Sequence, residues 1–255
     1  EIPDNQARVI ELIFTLEISD AAFRDGLFLT NQVQSTEDNS FNTESTSPAI
    51  VQIELTQPEL NIDKGVVARS TNPGSALSAP INPTGVVFDP VATAAACPDY
   101  SGTVSSDNLA NGAPDANATG LDARDIVRYA IVVENTGNGL NGAFDVTIND
   151  VVPAGFEVPA AGLDLCVTNG AGTPIPNTTT GFFSGAPTAS PLGTGSITLA
   201  DTTTGSLAPA DPTSGDNVAV ITYNLALVAT TGANTATTAL TNTANVTNYS
   251  ATEGG

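Results

Sequence analysis

The apolar residues of this chain recur at every second position over many short segments, not at helical spacing. Leu12, Phe14 and Leu16, extended by Ile10 and Ile18, alternate with other residues, and the same period marks AIVQIELTQ from Ala49, IVRYAIVV from Ile126, Phe144-Val146-Ile148, and VAVITYNLALV from Val218. Successive side chains of an extended strand point to opposite faces, so each segment predicts a β-strand with one face in a core. Turn-rich stretches separate them: NPGSALSAPINPTG at 72–85, NGAPDANATG at 111–120 and TNGAGTPIPNTTTG at 168–181. No run of strong helix formers reaches about a dozen residues with an apolar stripe. An all-β fold built as a β-sandwich is expected.

The pattern also repeats within the chain. DNQARVIELIFTLEI followed by LFLTNQVQSTEDN near the start matches DNVAVITYNLALV followed by TALTNTANVTNYSATE near the end. Leu12, Phe14 and Leu16 then align with Ile221, Tyr223 and Leu225, and Leu29-Thr30-Asn31 with Leu240-Thr241-Asn242. Any two hairpins share alternation; the ordered recurrence of Asp-Asn, the aromatic and Leu-Thr-Asn carries the match. The division expected is an N-terminal partial β unit at 1–57, a hairpin plus a strand resembling the end of a preceding repeat, followed by a sandwich at 58–255 with long insertions. Such a partial unit leaves sheet edges unpaired, and an unpaired edge is a template for a neighbour's strand. The strand around Ile50, Ile53 and Leu55 is the expected assembly element.

Composition narrows the chemistry. The 255 residues carry 6 Lys and Arg against 27 Asp and Glu, a net charge of -21, with no His, Met or Trp and two Cys. Without histidine there is no Ser-His-Asp or Cys-His nucleophile system and no His-ligated zinc, so an enzyme is not expected. The acidic field repels phosphate backbones, which excludes nucleic acid as a partner and favours divalent cations as counter-charge. No apolar run approaches the ~20 residues of a membrane span. The chain lacks an initiator Met and a basic-then-apolar leader, as expected of a processed product or of a window on a longer precursor. A carbohydrate-binding module would use exposed Trp or Tyr platforms, and the chain has no Trp and only 4 Tyr.

One stretch carries a family likeness. Residues 126–157 place Tyr129 through Asn138, then Val146, Ile148 and Asp150, then Val152-Pro153-Ala154-Gly155 in order; Leu60-Asn61-Ile62-Asp63-Lys64 stands before them and Asn242-Thr243-Ala244-Asn245-Val246 after. Over about residues 58–250 this resembles the conserved-repeat domains, of long-undefined function, found in tandem in bacterial and archaeal cell-surface proteins. The resemblance implies an immunoglobulin-like sandwich acting as a structural unit or spacer outside the cell. It supplies no role for the insertion at 68–122 or the stretch at 168–210.

Cys97 and Cys166 are the only cysteines, and an even count in a chain expected outside the cell predicts a disulfide, the alternative being two buried thiols. Lys64 is the single lysine. In fimbrial domains related to the family, a Lys and an Asn on neighbouring strands join in an isopeptide bond assisted by a buried acid. By that resemblance Lys64, Asn242 and Asp150 take these roles; the alternative is a lysine with a surface ion partner. Asp107, Asp115, Asp122 and Asp125 crowd one loop, and such hard oxygens suit Ca²⁺, although without EF-hand spacing a solvated acidic loop is the competing reading. Asn117, Asn177, Asn245 and Asn248 open glycosylation sequons, and the Thr runs 178–180 and 202–204 are candidates for O-glycans. The function expected is a structural subunit of an extracellular filament or surface assembly, polymerising with identical subunits head to tail by β-strand complementation. The alternative is a spacer in a long tandem-repeat adhesin.

Overall fold

The computed structural model describes residues 11–17, 23–38, 41–78, 82–91, 97–185, 191–201, 205–229 and 239–255; Ile10, Ile18 and Thr202–Thr204 lie outside them. The N-terminal part contributes β1 (Leu27–Val33), β2 (Thr36–Asp38), β3 (Thr43–Ser45) and β4 (Ala49–Leu55). Next comes β5 (Leu60–Arg69), then an insertion holding β6 (Ala76–Leu77), β7 (Val87–Phe88), β8 (Tyr100–Ser101), a four-residue α1 (Ser106–Leu109) and β9 (Ala118–Thr119). The remaining strands are β10 (Ile126–Asn135), β11 (Phe144–Val152), β12 (Phe156–Glu157), β13 (Cys166–Asn169), β14 (Asn177–Thr180), β15 (Gly193–Leu199), β16 (Val218–Leu227) and β17 (Thr243–Ser250). The fold is all-β, as the alternation predicted.

Two antiparallel sheets form a sandwich, one ordered β12-β16-β10-β5 with β13 also beside β16, the other β14-β15-β11-β17. Val127, Tyr129, Ile131 and Val133 of β10 and Ile221, Tyr223 and Leu225 of β16 face Val146, Ile148, Ile197 and Leu199 of the second sheet. These rows are i, i+2 sets, which is why the period-two pattern names the core.

The insertion accounts for what alternation could not. Val86, Phe88, Tyr100, Val104 and Leu109 pack on Ala130, Val132, Val218 and Val220, the outer face of the first sheet, and form a second apolar cluster. β16 is therefore buried at all ten positions. A strand covered on both faces reads as nearly continuous apolar sequence, as VAVITYNLAL does.

The N-terminal part departs from the expected hairpin. Residues 11–17 form no strand, and Leu12, Phe14 and Leu16 are exposed. β1 instead pairs with β4, from Leu27↔Leu55 to Val33↔Ala49, as a two-stranded ribbon. Alternation states that a segment is extended; it does not state its partner. The ribbon is tied to the sandwich by the Asp25 carboxylate, which accepts from the Gln57 amide at 2.8 Å and from the Asn138 amide and side chain at 3.2 and 3.1 Å.

Candidate functional site

Lys64 sits near the middle of β5, the edge strand of the first sheet, on the inward row that includes Leu60 and Ile62. Asp150 occupies the inward row of β11 between Ile148 and Val152, and Tyr223 that of β16 between Ile221 and Leu225. Asn242 immediately precedes β17 and, because Asp150 pairs with Ala244, lies two residues from that partner on the same face. Four segments far apart in sequence thus converge on one point between the sheets.

The Lys64 Nζ is 2.6 Å from Asp150 Oδ1, with the two side chains only 9% and 0% exposed. This excludes the surface ion pair and makes the contact a buried one. The Tyr223 hydroxyl donates to Asp150 Oδ2, and Asn242 Nδ2 donates to the Tyr223 oxygen at 2.8 Å. Lys64 Nζ also lies 5.1 Å from the Tyr129 ring centroid and 5.6 Å from that of Tyr223, within cation–π range. The two rings stack at 5.6 Å across the β10–β16 register pair Tyr129↔Tyr223. Among the described residues, Asn242 Oδ1 is buried without a hydrogen-bond partner.

Burial dominates the electrostatics. It pushes the Lys64 ammonium down to about 8, the attraction of Asp150 only partly opposing it, and it pushes the Asp150 carboxyl up against the opposing pull of Lys64 and the Tyr223 hydrogen bond. Both shifts move the pair toward a neutral amine and a neutral acid. Burial, with the Asp150 charge, also holds the Tyr129 and Tyr223 hydroxyls protonated well above their ordinary range. An amine whose neutral form is brought nearer to neutral pH, a carboxyl able to hold a proton and a carboxamide with a free carbonyl oxygen are the components of amide exchange. A cavity of ≈ 570 Å³, lined in part by Val66, Val127, Phe156 and Leu240, opens beside Lys64. Tyr223 did not stand out as chemistry in the sequence, where the alternation of VAVITYNLALV reads it as a core aromatic.

Cys97 and Cys166 are bonded, with Cα atoms 5.5 Å apart. The acidic loop is dispersed. Asp107 lies on α1 and Asp115 beside Asp63, whose carboxyl is raised by burial and by the Asp115 charge. Asp125 accepts from the Asp122 amide at 2.7 Å and from Asn72, so its oxygens are engaged in a turn. Among the described residues no three acidic groups gather as a metal site. Asn117, Asn177, Asn245 and Asn248 are all exposed. Ile50 and Ile53 are exposed at 57% and 52% but point to opposite faces of β4, whereas Leu55 is buried and belongs to the anchored end of the ribbon.

Sequence reasoning missed one buried charge cluster. Arg128, on the outer row of β10 and 0% exposed, donates to Asn224 Oδ1 at 3.0 Å and lies 2.5 Å from Asp164 and 3.6 Å from Asp99. Asp99 in turn accepts from Thr222 at 2.6 Å. The cluster pins the stretch that begins at Cys97 onto the first sheet, next to the disulfide.

No helix among the described residues is long and apolar enough to cross a membrane. No family model, no curated protein sequence and no solved structure matches the chain.

Proposed function

We propose that the chain is a structural subunit of an extracellular filament or surface assembly, that copies join head to tail through the N-terminal segment by β-strand complementation, and that the sandwich is closed by an isopeptide bond between Lys64 and Asn242. The observation that carries assembly is the β1–β4 ribbon. Leu29↔Ile53, Val33↔Ala49 and the Val51 position put Leu29, Val33, Val51 and Ile53 on one face, each 41% to 62% exposed. Among the described residues the ribbon has an apolar face left exposed and no third strand, and such a ribbon is marginal alone and gains from a neighbour's strand. The spacer reading uses the same ribbon against a covalently continuous neighbour. The two readings separate on Leu29→Glu/Ile53→Glu: loss of end-to-end polymers supports the first, and unchanged polymers of native width and repeat overturn it.

The cross-link rests on the site geometry. The neutral Lys64 amine attacks Asn242 Cγ, and protonated Asp150 supplies the proton that lets the Nδ2 group leave. The proton displaced from Nζ returns to Asp150. One Cγ–Nζ bond forms, the Cγ–Nδ2 bond breaks, and one ammonia departs toward the adjoining cavity. No oxidant or cofactor enters the balance. Intact-mass measurement tests it: the chain is expected to be lighter than its sequence by one ammonia, and Asp150→Ala or Asn242→Ala to restore the full mass. A wild-type chain of full sequence mass, apart from its disulfide, removes the bond.

A further inference from the structure

Among the described residues, the insertion covers the outer face of the first sheet, and the outer face of the second is left intermediate to exposed. It consists of cross-strand rows of hydroxyls and amides. Thr178 pairs with Thr198, and Thr198 with Thr147, whose hydroxyl bonds Thr198 at 3.1 Å; one step along, Thr180, Ser196, Asn149 and Asn245 form a second row. Val151 of β11 and Tyr249 of β17 are the exposed large hydrophobic residues of these strands among the described residues. Within β14, β15, β11 and β17 the only charged residues are Asp150, which is buried inward, and Asp145 at one end. In a chain of net charge -21 this face is almost without charge.

From this segregation we propose that the Thr/Asn face of the second sheet is a lateral docking surface for a second copy of the chain, by which assembled copies pack side by side. Two bodies each carrying -21 repel wherever carboxylates meet, and like charges brought together at a contact oppose association. A face bare of charge is where copies can approach without that opposition. The rows are self-complementary about a two-fold axis, so the same residues serve both partners, with hydroxyl and amide groups exchanging hydrogen bonds directly or through water.

Area decides the strength. Four strands at ~4.8 Å spacing and about six residues of length give roughly 400 Å² per copy, or ~800 Å² for a pair. That is below the ~1,200 Å² of stable interfaces, so an isolated pair dissociates readily. Copies held in an array engage many such faces at once, and the contact becomes persistent through effective concentration. In filaments this gives bundling, a consequence that rests on the polymer proposed above; the docking itself does not.

The test displays the full chain densely on beads, which presents an array whether or not the chain polymerises. Clustering of the beads is followed by light scattering. Two variants with non-overlapping exposed substitutions, Thr180→Glu/Asn245→Glu and Thr194→Glu/Thr247→Glu, add charge to the face. Wild-type beads are expected to cluster, more strongly as salt screens the remaining charge, and both variants to cluster at least tenfold less at unchanged melting temperature. Clustering by the variants equal to that of wild type overturns the proposal. So does wild-type binding to beads coated with a neutral polysaccharide in place of binding to itself. Loss of filaments with clustering intact counts against the polymer alone.

Discussion

At the scale of single residues, Lys64 links the site to a measurable pH dependence. Its folded value of about 8 lies below the 10.5 of an unhindered lysine. Between those values the unfolded chain holds a proton that the folded one does not, so stability rises with pH across that window, by at most about 1.4 kcal/mol per pH unit. Below about pH 8 both states are protonated and the cost of the buried ammonium is fully present. An amide at Lys64 does not titrate. Asn242→Ala, unable to cross-link, is therefore expected to gain stability from pH 8 to pH 10 in urea titrations, while the cross-linked chain shows no such rise; equal slopes in both count against the bond. Arg128 poses the opposite case, a buried cation with no reaction to perform. Arg128→Ala leaves Asp99 and Asp164 facing each other without compensation, and is expected to lose about 3–5 kcal/mol in thermal or chemical unfolding. That Lys64, Asp150 and Asn242 lie together was an expectation of the family resemblance, whereas the cluster around Arg128 was not expected. A lone Arg within IVRYAIVV reads as the polar half of an alternating strand, and nothing in the sequence says that the insertion covers that half.

Among the elements, the strands with a strict period and a bounding turn were legible: β10, β11 and β16 lie where IVRYAIVV, Phe144-Val146-Ile148 and VAVITYNLAL placed them. What was not legible was pairing, because register and partner follow from packing and not from period. LIFTLE has the alternation of a core strand and is described as no strand at all, while LFLTNQV found its partner in AIVQIEL, past the short β2–β3 pair. Gly65 shows how the close approach of another segment to a strand depends on one residue. A Cβ there would stand 2.6 Å from the Asp115 amide and the Pro114 carbonyl carbon, against the segment in which the Val66 amide donates to the Ala116 carbonyl at 2.8 Å. Both close atoms are backbone, so the segment must move as a unit. Gly65→Val is expected to cost about 1–3 kcal/mol and to raise hydrogen exchange at Val66 selectively. A variant as stable as wild type, with Val66 equally protected, means that residues 114–116 are held from elsewhere.

Across the whole molecule the observed disulfide, Cys97 to Cys166, is nested inside the span from Lys64 to Asn242 that the proposed isopeptide would close. The disulfide staples the insertion to β13, and the proposed isopeptide joins the first strand of the sandwich to the residue preceding its last. In the proposed filament, tension would enter through the ribbon before β5 and leave through β17, and the proposed isopeptide would carry it directly from Lys64 to Asn242. With that bond the chain between Lys64 and Asn242 would be shielded and would have no extensible length to release. Without the isopeptide, force reaches β5 and β17 separately, and the segment between them unravels until the disulfide stops it. In single-molecule pulling of the full chain from its two ends, the oxidised wild type is expected to show no extension step from residues 64–242. Asn242→Ala is expected to show one of about 380 Å, taking ~3.5 Å for each freed residue outside the disulfide loop. Reducing the disulfide in that variant should lengthen the step by roughly 240 Å on the same scale, with a separation of 69 residues released. A wild-type step as long as the variant's means that force does pass through the sandwich, and the proposed covalent closure fails.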